Sequence, residues 1–153
     1  MPRNTAARNE AQRVLSETKI AEPPVRLKVL VEYYVFKIKM EDWPEKYEGK
    51  LERDKRVIHV NKNHHLVKQR FTIAHEFGHY FLHRSGDYFD DGRQNSSNIQ
   101  EKEANAFAAE LLMPHEWVKR DYGAITNPEE LARKYEVSKQ AMWYRLMELN
   151  LIK

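Results

Sequence analysis

Two histidines stand four residues apart, His75 and His79, with Glu76 directly after the first. The apolar residues around them, Ala74, Phe77 and Phe81, recur at helical spacing and predict a helix from about Gln69 to His83. Positions four apart lie on one helical face, so both imidazoles project to the same side. A fold that accepts this segment must bury a helix with two nitrogen donors on its inner face. It must also bring a second polar element to meet them. Two imidazoles on one rigid helix suit a zinc ion, with His75 and His79 as expected metal ligands. Zinc lowers the pKa of water to about 7, and Glu76 stands where it can take the proton such a water releases. The chemistry expected is hydrolysis, with water as nucleophile and Glu76 as general base.

A third ligand must come from elsewhere. The chain has no cysteine, which excludes both disulfides and thiolate ligands. A pattern with a glycine three residues and a histidine six residues beyond His79 is also excluded, because those positions hold Leu82 and Ser85. A second helix, expected from about Ile99 to Met113, offers Glu101 and Glu103. At about 100° per residue, Glu101 falls within roughly 60° of Ala104, Asn105, Ala108 and Leu112, the stripe expected to face the core. Glu103 lies about 200° from Glu101 and shares its side with Glu110, so it is expected in solvent. Glu101 is therefore the expected third metal ligand. Two alternatives stay open: Glu101 completing a capping box with Asn98, and Glu103 as the ligand. Ala104, Ala108 and Gly78 would let the two helices approach closely, and Asn105 could hydrogen-bond a ligand imidazole. His83 could line the cleft or end its helix. His59, His64, His65 and His115 read as surface or strand positions. Candidates for stabilising the oxyanion are His83, His115 and Tyr122.

The remaining elements form a small frame. Thr5 is a plausible cap for a helix over residues 5–18, and Pro24 suits the first position of another. Phe36, Ile38 and Met40 alternate with Lys37 and Lys39 as in a half-buried strand. Two more strands, near Gly49–Glu52 and Arg56–Val60, would complete an antiparallel sheet. Ser85 to Ser97 reads as a polar loop. Pro114 is expected to open a short helix through Trp117. No apolar run approaches the roughly 18 residues that span a bilayer. The expectation is a cytoplasmic protein that needs no membrane.

Beyond Gly123, Asn127-Pro128-Glu129-Glu130 is a strong helix start, and Ser138 caps one more helix. This places a boundary between residues 1–122 and a helix-turn-helix-like segment, 123–153. Its second helix offers only Lys139 and Arg145 as cations, so direct DNA binding is not expected. Trp143, Leu146 and Met147 are expected to be buried.

Arg70-Phe71-Thr72-Ile73-Ala74-His75-Glu76-Phe77-Gly78-His79, followed by Glu101-Lys102-Glu103-Ala104-Asn105-Ala106-Phe107-Ala108-Ala109-Glu110-Leu111-Leu112-Met113-Pro114, resembles the ImmA/IrrE family of zinc metallopeptidases. Pro23-Pro24-Val25 and Ile58-His59-Val60-Asn61 add to the likeness, which covers about residues 20–150. The resemblance implies an α+β, minimal zincin-like domain with a gluzincin-type site. It also implies a zinc-dependent endopeptidase whose protein substrate is a helix-turn-helix transcriptional repressor, held in a shallow cleft beside the strand ending near Val60. A non-catalytic regulator that uses the same fold as a sensor or binding platform is the alternative.

Overall fold

The computed structural model describes residues 2–84, 86–90 and 98–153. Its elements run α1 (Pro2–Glu17), α2 (Leu27–Tyr33), β1 (Lys37–Glu41), β2 (Gly49–Glu52), β3 (Val57–Asn61), α3 (Leu66–Leu82), β4 (Tyr88–Asp90), α4 (Ile99–Leu112), α5 (His115–Tyr122), α6 (Pro128–Tyr135) and α7 (Lys139–Glu148). The α+β expectation holds, with the strands gathered in one small sheet against the helices.

The sheet order is β1-β3-β2-β4. Strands β2 and β3 pair antiparallel, with Leu51 opposite Ile58. Strand β1 runs parallel to β3, with Ile38 opposite Ile58. The sheet is therefore mixed, not wholly antiparallel. Nor can the strand ending near Val60 receive a peptide at its side, because β3 is interior and both its edges are already paired. Ile58 and Val60 point into the core, which leaves His59 on the opposite face. Met40 is 46% exposed, because β1 is an edge strand that the core covers only in part.

Several boundaries move for identifiable reasons. Helix α1 already runs at Pro2, so Thr5 lies within it and not at its cap. Helix α2 starts at Leu27, not Pro24, and the carbonyl of Val25 accepts a hydrogen bond from Arg70 Nη1 at 2.9 Å instead of entering a helix. Helix α5 extends past Trp117 to Tyr122. Much of the Ser85–Ser97 stretch lies outside the described residues, but Tyr88–Asp90 is strand β4, paired antiparallel to β2.

Helix α4 lies between α1 and α3. Ala7, Ala11 and Val14 of α1 are fully buried in the same core as Phe107, Ala108 and Leu111 of α4. On the α3 side, a Cβ added at Gly78 would stand 3.0 Å from both Cα and the carbonyl oxygen of Ala104. Glycine thus permits the close approach that the alanines of α4 favour.

Helices α6 and α7 are joined to this frame by one buried and one half-buried arginine. Arg145, 5% exposed, forms a close ion pair with Glu110 of α4 and donates to the Met113 carbonyl at 3.0 Å. Arg70 of α3 donates to the carbonyls of Glu136 at 2.9 Å and Tyr135 at 3.4 Å. Glu136 stands at the turn where glycine is common, with φ 54°, and its left-handed backbone ends α6. Of the three α7 residues expected inside, only Leu146 is buried. Trp143 is 45% and Met147 43% exposed, because the inward face of α7 is taken by Met142, Arg145 and Leu146.

Candidate functional site

The two helices that cross at Gly78 bring the predicted donors together. His75 and His79, both buried on α3, meet Glu101 from the first turn of α4. His75 Nε2 is 3.0 Å from Glu101 Oε1, and His79 Nε2 is 2.8 Å from Glu101 Oε2. The ligand atoms of these three residues all lie within 4.8 Å of one another, an arrangement no other group of His, Asp or Glu makes among the described residues. Burial tends to raise the Glu101 carboxyl. The two imidazoles that face it, His75 and His79, outweigh that and hold it well below the usual carboxylate range.

The capping alternative is also resolved in part by geometry. Asn98 Oδ1 accepts from the backbone N–H of Gln100 at 2.9 Å and of Glu101 at 3.2 Å, so it does cap α4. The side chain of Glu101 turns to the histidines, which leaves the box with one arm.

Each imidazole is oriented from its far side. His75 Nδ1 stands 2.7 Å from Asn105 Oδ1; an amide oxygen only accepts, so the ring carries its hydrogen there and presents Nε2 to Glu101. His79 Nδ1 is 3.0 Å from His83 Nδ1, and His83 Nε2 is 2.9 Å from Glu103 Oε1. Glu103 is therefore not the solvent-facing residue expected, and its partner Glu110 is only 2% exposed. The single-stripe argument failed because α4 has neighbours on two sides, α3 and α1, and polar groups on both flanks find partners. Tyr88 of β4 stacks on His79, with ring centroids 3.9 Å apart and planes 7° from parallel. Sequence reasoning missed it inside a polar stretch. Its one signal was the Tyr88-Phe89 aromatic pair.

Glu76 is fully buried on the same helix, beneath β2. A Cβ at Gly49 would come within 3.2 Å of Glu76 Oε2 and 2.5 Å of Thr72 Cγ2, so β2 can cross here only as glycine. The C-terminal end of α3 is held by Arg53 from the β2–β3 turn. Its guanidinium donates to the carbonyls of His79 and Tyr80, both at 3.0 Å, and to that of His83. A cation at this end satisfies carbonyls that the helix leaves unpaired.

Of the other predicted candidates, His83 adjoins this site and His115 stands apart from it. His115 lies 2.8 Å from Glu110 Oε2, in a surface pocket lined by Gln12, Ile20, Pro114 and Trp117. His83 is engaged by His79 and Glu103. His59 and His64 are each 7% exposed: His59 is a strand residue, one of the two expected settings, and sits between two carboxylates, whereas His64 is in neither setting and bonds the Glu45 carbonyl at 2.7 Å.

Residues 31–147 match the model of the IrrE N-terminal-like domain. The chain is 32% identical over 103 residues to Metallopeptidase ImmA of Bacillus subtilis, covering 63% of this chain and 59% of that protein. It is 31% identical over 110 residues to the radiation response metalloprotease IrrE of Deinococcus radiodurans, covering 66% and 34%. An uncharacterized immunity region protein of Bacillus phage phi105 is 33% identical over 75 residues, covering 48% and 47%. The chain thus spans between about a third and three fifths of the length of these relatives. Among solved structures, a Mycobacterium tuberculosis transcriptional regulator shares the fold with a TM-score of 0.68 at 16% identity, over 95% of this chain and 48% of that one.

Proposed function

Because the chain belongs to the IrrE N-terminal-like family of metallopeptidases, we propose that it is a zinc-dependent endopeptidase. In this reading His75, His79 and Glu101 hold the ion and Glu76 is the general base. The observation that carries it is the convergence of two imidazole nitrogens and both oxygens of one carboxylate at the crossing of α3 and α4. The donor set is one that zinc takes. Ligands about 2.0–2.1 Å from a tetrahedral ion stand roughly 3.3 Å apart, so atoms now 2.8–3.0 Å apart need to separate only slightly.

When bound, zinc supplies a Lewis acid that polarises a carbonyl and acidifies water. The protein does the rest. Glu76 accepts the proton of the attacking water and returns it to the departing amine, a task suited to a carboxylate held rigidly on the ligand helix. Asn105 keeps the His75 ring turned so that Nε2 faces inward. Phe77, Phe81 and Phe107 pack behind α3 and keep its register against α4.

The substrate class proposed, on the family likeness, is a helix-turn-helix transcriptional repressor, cut in the cytoplasm. No helix among the described residues is long and apolar enough to cross a membrane. Residues 1–122 are assigned to the catalytic unit and 123–153 to a helical pair that braces it. The burial of Arg145 against Glu110 removes one of the two cations that a DNA-reading helix would use, which supports a protein substrate over DNA. The test is incubation of the zinc-loaded protein with a repressor encoded beside its gene. Fragments should form with the parent and not with Glu76→Gln. Full zinc occupancy without cleavage of any such repressor would favour the non-catalytic regulator instead.

A further inference from the structure

The far side of His79 carries a chain of polar contacts that the zinc reading alone does not require. Glu103 of α4 accepts from His83 Nε2 at 2.9 Å, and His83 Nδ1 meets His79 Nδ1 at 3.0 Å. We propose that His83 and Glu103 are positioning residues that set the tautomer and orientation of His79 for metal binding. The inference rests on the zinc reading above and concerns no group that touches the ion.

The order of protons follows from the endpoint. An ionised carboxylate can only accept, so the His83 hydrogen lies on Nε2. When the His83 ring carries that one hydrogen, its Nδ1 offers a lone pair, and a hydrogen on His79 Nδ1 completes the contact. His79 is left with its lone pair on Nε2, the atom that faces Glu101 at 2.8 Å. This tautomer is not left to chance, since a ligand imidazole that donates from its other nitrogen is both oriented and made more basic. The same logic operates in one step at His75, where Asn105 accepts directly at 2.7 Å. At His79 the link takes two steps: His83, one helical turn on, connects it to Glu103.

The geometry around the relay supports a fixed role. His83 is 7% exposed and ends α3, with its backbone N–H on the His79 carbonyl at 2.9 Å. Arg53 holds the His83 and His79 carbonyls together. Tyr88 lies flat against His79 and at 44° to His83, which confines both rings. Glu103 and Glu101 stand two residues apart on one helix, so a single rigid element presents one carboxylate to His79 Nε2 and the other to His83, which meets His79 Nδ1.

The experiment is zinc affinity by competition with a chromophoric chelator, paired with the visible d–d spectrum of the cobalt(II) form. His83→Phe keeps the volume and removes the acceptor; it should bind zinc about 10–100-fold more weakly and shift the cobalt bands. His83→Gln retains an oxygen for His79 and an N–H for Glu103; it should stay within about threefold of the parent, with the parental spectrum. Glu103→Ala should show a smaller loss, about tenfold. Glu101→Ala serves as the control for the site itself. If Glu101→Ala loses zinc while His83→Phe keeps parental affinity and spectrum, the relay is overturned and the zinc site stands. If Glu101→Ala binds as the parent does, the zinc reading fails and takes the relay with it. Equal loss in the Phe and Gln variants would show that packing, not the hydrogen bond, matters, and would also overturn the proposal.

Discussion

Among the described residues, two clusters of histidine and glutamate are built in opposite ways. At the α3–α4 crossing one carboxylate, Glu101, faces two imidazoles at 3.0 and 2.8 Å. On the outer face of the sheet one imidazole, His59, faces two carboxylates, with Glu41 and Glu52 each at 2.6 Å. In the first, lone pairs converge on a point, which is what an ion needs. In the second, the ring separates the two acids, with one ring nitrogen facing each of them. Trp43 then covers the ring, stacked at 6.4 Å. The same residue types, all within hydrogen-bond distance, thus yield one candidate metal centre and one strut linking β1, β3 and the end of β2.

The strongest test of that contrast is catalytic. Glu76→Gln should lower peptide cleavage by about 10²–10⁴ while zinc content stays at the parental level, because the amide cannot take a proton. Glu41→Gln, in the other cluster, should leave cleavage within about threefold. A Glu76→Gln protein that still cuts at a rate near the parent's removes this residue from the mechanism.

Metal binding is the next discriminator. Glu101→Ala should weaken zinc by more than the roughly 10–100-fold seen when only a supporting group is lost. Glu52→Ala should not change it, and elemental analysis after dialysis reads both. Loss of zinc in Glu52→Ala would mean that the two clusters are coupled.

The close crossing exists only at the first cluster. Gly78→Ala would press a methyl group against the Ala104 backbone at 3.0 Å, forcing α3 and α4 apart. Overpacking of this kind costs about 1–3 kcal/mol, and zinc affinity should fall with it. His59→Phe removes two hydrogen bonds to half-exposed acids. It should cost about 1–2 kcal/mol in denaturant unfolding and leave zinc affinity unchanged.

The smallest effect is the pH response of the strut. Glu52 is held below its ordinary pKa, chiefly by its hydrogen bond from His59. A carboxyl depressed in the folded state contributes stability above its unfolded pKa of about 4.3 and loses it as pH falls through the lower, folded value. Metal-free protein carrying Glu52→Gln should therefore show a flatter loss of stability below about pH 4 than the parent. Identical acid profiles would place the pH response elsewhere.

Much of the centre was legible because its first half is local. Spacing of four on a helix puts His75 and His79 on one face whatever surrounds them, and the caps at Asn98, Asn127 and Ser138 act within three residues. One helical stripe also aimed Glu101 at both rings, although it misplaced Glu103. The rest depended on which elements became neighbours. Glu103 and Glu110 look like solvent residues until α3 and α1 close on both sides of α4. His59 reads as a surface or strand position, and only the fold brings Glu41 and Glu52 to it from adjacent strands; Arg145 looks like a free cation until α7 folds onto Glu110. Periodicity encodes which residues share a face, because backbone geometry is the same everywhere along a helix or strand. It carries no record of what that face will meet, so the parallel pairing of β1, the relay behind His79 and the stacking of Tyr88 were decided only by the tertiary structure.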